Sequence, residues 1–206
     1  MDYAFLWGAF IGLFAIIDPF STAFVYVEIS SGDSKKKIKL TAKRASIAFA
    51  LILIFFILFG TALFHLFSIT IEAFQIAGGL IIAIAGFQML YPKPKLPEEE
   101  EIESRKKEDI SIIPLAIPML SGPGAITAVL VWSGKAAHFS DEIGLILIPI
   151  IIGIISYFIL ANARHLKNIL GQTGTNVVSR LLGLIVLVMG VQFIINGVSV
   201  VLPSIL

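Results

Sequence analysis

Two segments of the chain place proline, glycine and small hydroxyl residues in the middle of long apolar runs. The first carries Asp18, Pro19, Ser21 and Thr22, and the second carries Ser121, Gly122, Pro123, Gly124 and Thr127. Proline removes a backbone donor and clashes with the preceding turn, while glycine lets the chain leave helical geometry. Each segment is therefore expected to break a helix and to free backbone N–H and C=O groups.

These breaks have a definite chemistry. The second half of a broken helix begins with free N–H groups and a positive dipole end, which suit a carboxylate. Asp18 adds an ionisable group, and such a group inside a membrane costs roughly 3 kcal/mol or more, so it is a functional candidate. It could cap the second half-helix, bind a substrate ammonium or carry a coupling proton. The pattern favours a site for a small zwitterion or anion over two proline kinks sealed by hydroxyl side chains.

The composition indicates a membrane protein. Of 206 residues 57% are apolar and only 14% are charged, and the mean hydropathy is +0.96. Soluble domains contain about 25% charged residues, and a soluble chain of this size could not bury so much apolar surface. The net charge of +1 indicates no nucleic-acid partner, and the absence of cysteine excludes thiolate chemistry. We therefore expect membrane lipid as the surroundings of most of the chain.

Six apolar stretches are long enough to cross a bilayer as helices, since about 20 residues are needed. They cover about 4–28, 45–66, 72–91, 110–133, 143–163 and 178–202. The segment 92–109 contains three prolines, a run of four glutamates and then basic residues, which favours a solvated cytoplasmic linker over a metal site. It divides the chain into a first three-helix repeat, 1–91, and a second, 110–206.

The distribution of lysine and arginine predicts the orientation. The first, third and fifth connections carry six, five and three of these residues, whereas the opposite side carries Lys135 alone. We therefore expect a multi-pass protein of the plasma membrane with both termini outside.

The two halves repeat each other at an offset of 104 residues. Pro19 aligns with Pro123, Gly79 with Gly183, Gly86 with Gly190 and Gln88 with Gln192. Because each half contains three predicted spans, an odd number, the second half is expected to be inverted relative to the first. The predicted fold is thus an all-α polytopic protein of two inverted three-helix repeats, with helices 1 and 4 broken. Inverted repeats are a recurrent architecture of transporters.

Several amides and small residues lie on the third and sixth predicted spans. The glycines at helical spacing favour close helix packing. The amides that could support a site are Gln75, Gln88, Gln192 and Asn196, although inter-helix hydrogen bonds are the more ordinary interpretation. The histidines lie at span ends or in loops and are not grouped with carboxylates, so we expect no metal ion and no cofactor.

The motifs resemble those of one known family. Residues 18–22, 76–79, 114–126 and 190–192 are similar to the MarC/SnatA family of membrane proteins, and the resemblance extends from about 4 to 200. It implies a transporter of glycine-like neutral amino acids driven by protons, with the two broken helices as the substrate site. Family members often carry asparagine in place of Asp18, so the resemblance implies capping or ammonium recognition there more readily than proton transfer.

We therefore expect a secondary transporter of small neutral amino acids, with a coupling proton or, second, sodium. The sequence leaves open uptake or export, a channel for another polar solute, a non-transporting interaction protein, and whether the chain forms a homo-oligomer. An enzyme is not expected, because Asp18 is the only carboxylate well inside a predicted span and no histidine accompanies it.

Overall fold

A computed structural model describes residues 3–30, 32–91, 111–136 and 138–202. Helices account for nearly all of them, and no strand occurs in these ranges. In chain order the helices are α1 (Tyr3–Ile17), α2 (Pro19–Ile29), α3 (Lys35–Phe67), α4 (Ile71–Leu90), α5 (Ser111–Leu120), α6 (Pro123–Lys135), α7 (Phe139–Ala161) and α8 (Ala163–Val201). The predicted linker, 92–109, lies outside the described residues, so the division into two repeats stays a prediction.

Five segments of the described chain are long and apolar enough to cross a membrane by length and composition. They are Tyr3–Val27, Lys35–Gly60, Ile71–Leu90, Phe139–Ala161 and Ala163–Val201. The predicted fourth span, 110–133, is divided into α5 and α6, and each of these helices is too short to cross by itself. Large apolar side chains such as Leu51, Phe158 and Leu181 are exposed on the outer surface, as expected where lipid covers the protein.

Both predicted breaks are present at the prolines. Asp18 alone separates α1 from α2, and Ser121 and Gly122 separate α5 from α6. Pro19 and Pro123 are the first residues of the helices that follow, a position where the missing N–H costs nothing and the fixed φ suits the helix. The start of α7 at Phe139 likewise follows the start of α3 at Lys35 by 104 residues.

Two helices begin earlier than the predicted spans. The helix α3 starts at Lys35 and not near residue 45, because its first turns are helical although they carry most of the basic residues of the first connection. The helix α8 starts at Ala163, and Gly171 with φ of 60° kinks it before the predicted sixth span. The helix α5 is a π-helix, in which the N–H of Ser121 reaches back to the carbonyl of Ala116 at 2.8 Å.

The closest packing joins α4 to α8. A Cβ atom on Gly79 would lie 2.6 Å from the carbonyl oxygen of Gly190, and one on Gly190 would lie 2.6 Å from the carbonyl of Gly79. Gly86 and Gly183 form a second reciprocal pair at 2.8 and 3.0 Å. Because the earlier residue of one helix faces the later residue of the other, the helices are antiparallel, and only glycine allows so close an approach.

Side-chain hydrogen bonds to backbone carbonyls join the other helices to one another. The helix α3 packs along α7 and contacts α6, where the Ser133 hydroxyl donates to the carbonyl of Ile57 at 3.0 Å. The Tyr26 hydroxyl donates to the carbonyl of Ile38 at 2.8 Å and ties α2 to α3. The guanidinium of Arg164 donates to the carbonyls of Ser30 and Asp33, which fixes the start of α8 against the α2–α3 turn.

Candidate functional site

The first break is built around Asp18. Its φ of 38° lies in the left-handed region, which aspartate and asparagine tolerate better than most residues. The carboxylate Oδ1 accepts a hydrogen bond from the Ser21 N–H at 3.2 Å and so caps α2. Only 5% of Asp18 is exposed. Capping, one of the three roles considered for Asp18 from the sequence, is thus present as a hydrogen bond.

Hydroxyl groups extend the polar patch from this break towards α8. The Ser21 hydroxyl forms a short hydrogen bond with the Ser179 hydroxyl. Thr22 is buried one residue further along α2, and its N–H donates to the carbonyl of Asp18 at 3.2 Å. A carboxylate and three hydroxyls therefore lie together at the first break, two of the hydroxyls on α2 and one on α8.

A cavity of about 540 Å³ opens at this patch. Its polar lining residues are Asp18, Ser21, Thr22, Gln88, Asn176 and Ser179, and its apolar walls include Ile16 and Met119. The cavity is thus bounded by the first broken helix, the end of α4, the end of α5 and α8 just beyond its kink. Three of the nine residues predicted for substrate binding line it, namely Asp18, Ser21 and Thr22, whereas Pro19 is fully buried.

The second break differs from the first in its capping. Gly122 is the N-cap residue of α6 and has no side chain to offer, and Pro123 has no N–H. The first N–H groups of α6 therefore lack a side-chain cap of the kind that Asp18 gives to α2. The Ser121 hydroxyl is only 2% exposed and has no hydrogen-bond partner among the described residues. The first N–H groups of α6 and the Ser121 hydroxyl could therefore donate hydrogen bonds to a ligand.

The two breaks approach each other through Ile16. A Cβ atom on Gly124 would lie 3.3 Å from the Cγ2 atom of Ile16, and the side chain of Ile16 also lines the cavity. Ile16 thus lies between the cavity and the start of α6. Thr127 is placed elsewhere, because it packs against Gly78 of α4. Ser121, Gly122, Pro123, Gly124 and Thr127 are not among the residues that line the cavity.

The four predicted supporting amides separate into three environments. Gln88 lines the cavity. Gln75 is buried where α4 meets Gly197 of α8. Gln192 donates to the Asn196 side chain at 2.8 Å within α8, on an exposed face, so this pair does not contact the cavity.

Sequence reasoning missed two cavity residues, Asn176 and Ser179. They lie in the polar turns near the start of the predicted sixth span and belong to no broken-helix motif. The repeat could have indicated Ser179, because the offset of 104 pairs it with Gln75, which was already a candidate. A set of His, Asp or Glu side chains able to hold a metal ion does not occur in the described ranges. The run of glutamates in 92–109 lies outside those ranges.

Fold and site together define an all-helical integral membrane protein with a polar cavity at a broken helix. The sequence model of the MarC family integral membrane proteins matches residues 3–202, and the chain belongs to this family, also designated UPF0056.

Curated relatives cover nearly the whole chain. The UPF0056 membrane protein YhcE of Escherichia coli is 30% identical over 100% of this chain and 97% of its own length. The UPF0056 membrane protein MJ1677 of Methanocaldococcus jannaschii is 32% identical, covering 96% of this chain and 98% of its own. The UPF0056 membrane protein PH0760 of Pyrococcus horikoshii is 37% identical over 91% of each. These names describe membrane proteins and state no substrate or enzyme activity. No solved structure matches the chain.

Proposed function

We propose that the chain is a secondary transporter of small neutral amino acids, coupled to protons or, second, to sodium. The observation that carries the proposal is the cavity at the first break, where a buried carboxylate and three hydroxyls meet inside an apolar protein. A polar site of this kind is costly in a membrane and is retained where it binds a solute.

The two breaks are complementary to the two ends of an amino acid. Its ammonium group would lie at the Asp18 carboxylate, with the hydroxyls of Ser21 and Ser179 as further acceptors. Its carboxylate would be bound by the uncapped N–H groups of Gly124 and Ala125 and by the Ser121 hydroxyl, once Ile16 moves aside. Glycine and alanine are the proposed substrates because the resemblance to the MarC/SnatA family implies glycine-like amino acids.

The proposed architecture is six spans in two inverted repeats. In this arrangement α1 with α2 forms the first span and α5 with α6 forms the fourth. Two features support it: the starts of α2 and α6, and of α3 and α7, are each 104 residues apart. The glycine contacts have the same relation, because the offset converts the pair Gly79–Gly190 into the pair Gly183–Gly86. Contacts that exchange in this way are expected around a two-fold axis in the membrane plane.

The proposed orientation follows the basic residues. The cavity lies between the end of α4 and the start of α8, which adjoin the lysine- and arginine-rich connections. In the plasma membrane these connections would face the cytoplasm. Both termini would lie outside, and the cavity would open inwards.

Binding of glycine and alanine to the purified protein tests the proposal. We expect saturable binding to the wild type, weakened in Ser179→Ala but not in Ser199→Ala, which makes the same change on an exposed face of α8. Gly122→Leu should abolish binding while the protein remains monodisperse. In proteoliposomes, uptake should be saturable and should respond to an imposed proton gradient. Absence of binding to well-folded wild type would refute the substrate, and non-saturable flux would indicate a channel.

A further inference from the structure

A second cavity lies on the outer surface between α3 and α7, away from the first break. It measures about 430 Å³, and Ile47, Ala50, Ile150 and Ile154 form its apolar lining. The three isoleucines are exposed, so the groove opens outwards towards lipid. Its floor is closed, because a Cβ atom on Gly153 would lie 3.2 Å from the Ser46 carbonyl oxygen. We call this feature the α3–α7 groove.

One end of the groove is polar. Lys43 and Tyr157 line that end. Ser46 also lines the groove; it is 4% exposed, and its hydroxyl has no hydrogen-bond partner among the described residues. A buried hydroxyl left without a partner costs about 1–3 kcal/mol. Rotation of this side chain towards the groove would let the hydroxyl donate to an occupant that carries an oxygen atom.

A basic pocket adjoins this polar end. It measures about 280 Å³, and its charged or titratable lining residues are Lys35, Lys39, Arg164 and His165. Lys39 and Lys43 are one helical turn apart on α3, and the lining residues Ala161 and Tyr157 are one turn apart on α7. One turn of four residues corresponds to about 6 Å. The pocket and the groove therefore follow the same seam between the two helices.

The charge along this seam is positive among the described residues. Of the residues in these ranges that line the groove and the basic pocket, none is acidic. Lys39 and Lys43 form no ion pair with any described residue, whereas the carboxylate of Asp33 pairs with Lys37 at 2.9 Å. The ammonium groups of Lys39 and Lys43 can therefore bind an anion. The α3–α7 groove beside them is lined mainly by apolar side chains and suits a hydrocarbon chain.

We propose that the α3–α7 seam binds one anionic phospholipid from the leaflet next to the basic connections. The phosphate lies between Lys39 and Lys43, an ester carbonyl accepts from the Ser46 hydroxyl, and an acyl chain occupies the groove along Ile47 and Ile154. A phosphodiester lipid joins an anion to hydrocarbon over the short distance that separates pocket and groove. Basic pockets between membrane helices are known to hold anionic head groups. Free phosphate would leave the groove and Ser46 unfilled.

Native mass spectrometry of the purified full chain tests the site, with phosphatidylglycerol and phosphatidylcholine as probes. We expect one retained phosphatidylglycerol and no comparable retention of phosphatidylcholine. Each lysine near an anionic lipid surface contributes a factor of about five, so Lys39→Gln/Lys43→Gln should lower the affinity about 25-fold. Lys36→Gln/Lys37→Gln removes the same charge from the same helix, but neither residue lines the seam, and it should retain the lipid.

A second pair of variants tests the acyl-chain groove. Ile47→Trp fills the groove, whereas Leu51→Trp adds the same side chain on the exposed face of α3. Only Ile47→Trp should release the lipid, and millimolar inorganic phosphate should not displace it. The proposal would be overturned if both lysine pairs lost phosphatidylglycerol equally or if the two lipids bound equally. It would also be overturned if Ile47→Trp retained the lipid or if phosphate displaced it. Unchanged melting temperatures without lipid show that the variants fold, and none of these residues lines the proposed substrate cavity.

Discussion

At Asp18 the backbone and the side chain place separate demands on the residue. The φ of 38° requires a residue that tolerates the left-handed region, and the bond to the Ser21 N–H requires a short side-chain acceptor. Asparagine meets both demands without the charge, whereas alanine meets neither. Substitutions at this position therefore separate the role in the fold from the role in binding.

We predict that Asp18→Asn folds normally but binds glycine about tenfold more weakly, because a charge-assisted hydrogen bond to the ammonium is replaced by a neutral one. Asp18→Ala should also lose about 1 kcal/mol of stability with the cap. Calorimetric titration and thermal unfolding in detergent measure the two effects. Unchanged glycine affinity in Asp18→Asn would show that the ammonium group lies elsewhere.

The unpartnered Ser121 hydroxyl gives a second prediction at this scale. Without ligand, Ser121→Ala should leave the melting temperature unchanged or raise it, because a buried hydroxyl without a partner is removed. Glycine affinity should fall by about tenfold, since the hydroxyl would donate to the substrate carboxylate. Ser156→Ala is the matched control: this hydroxyl on α7 is also buried and unpartnered among the described residues. Ser156→Ala should change the melting temperature as Ser121→Ala does but leave the glycine affinity unchanged. An equal loss of glycine affinity in both variants would contradict the assignment of Ser121 to the site.

Individual site residues were predictable from sequence where a motif isolated them or where, as for Gln88, the internal repeat did. Asp18, Ser21 and Thr22 stand beside a proline in an apolar run, so their chemistry was visible, and they line the cavity. Ser179 reaches Ser21 across 158 positions of the chain, and no local pattern encodes such a contact. Thr127 followed the same motif logic but packs against Gly78, because the side of a helix that faces a neighbour depends on tertiary packing.

At the scale of the helices, α4 and α8 depend on backbone contact. Gly79→Ala places a Cβ atom 2.6 Å from a carbonyl oxygen that cannot move aside as a side chain could. We predict a loss of about 1–3 kcal/mol, the usual cost of overpacking, seen as a lower melting temperature and aggregation in detergent. Gly8→Ala is the control, since its Cβ would lie 3.4 Å from the Trp132 ring, an ordinary contact. Equal stability of both variants would contradict the close approach.

Helix boundaries were predictable where residue chemistry dictates them. Proline suits the first turn, so the starts of α2 and α6 followed from Pro19 and Pro123. Hydropathy locates apolar spans but not the polar turns of a helix that extend beyond them. The predicted spans therefore began later than α3 and α8 do. The π-helical geometry of α5 has no comparable signature, because hydropathy does not distinguish bonds to the fifth residue back from bonds to the fourth.

For the whole molecule, the offset of 104 residues predicts which residues exchange environments during transport. Ser179 and its counterpart Gln75 are equally buried, at 6% and 5% exposed, but only Ser179 lines the cavity. If the two halves exchange conformations, Gln75 should line a cavity in the opposite state, as Ser179 does here. The chain contains no cysteine, so a single introduced cysteine reports accessibility without background.

We predict that Ser179→Cys reacts with a membrane-impermeant maleimide added from the side of the basic connections, and that Gln75→Cys does not react at rest. Glycine together with a proton gradient should make Gln75→Cys reactive from the opposite side and should slow labelling of Ser179→Cys, because each cycle closes one entrance as it opens the other. Ser34→Cys, exposed in the turn before α3, should react from the side of the basic connections at a constant rate throughout. Labelling of Gln75→Cys and Ser179→Cys from the same side, or simultaneously from both, would indicate a continuous pore instead of alternating access.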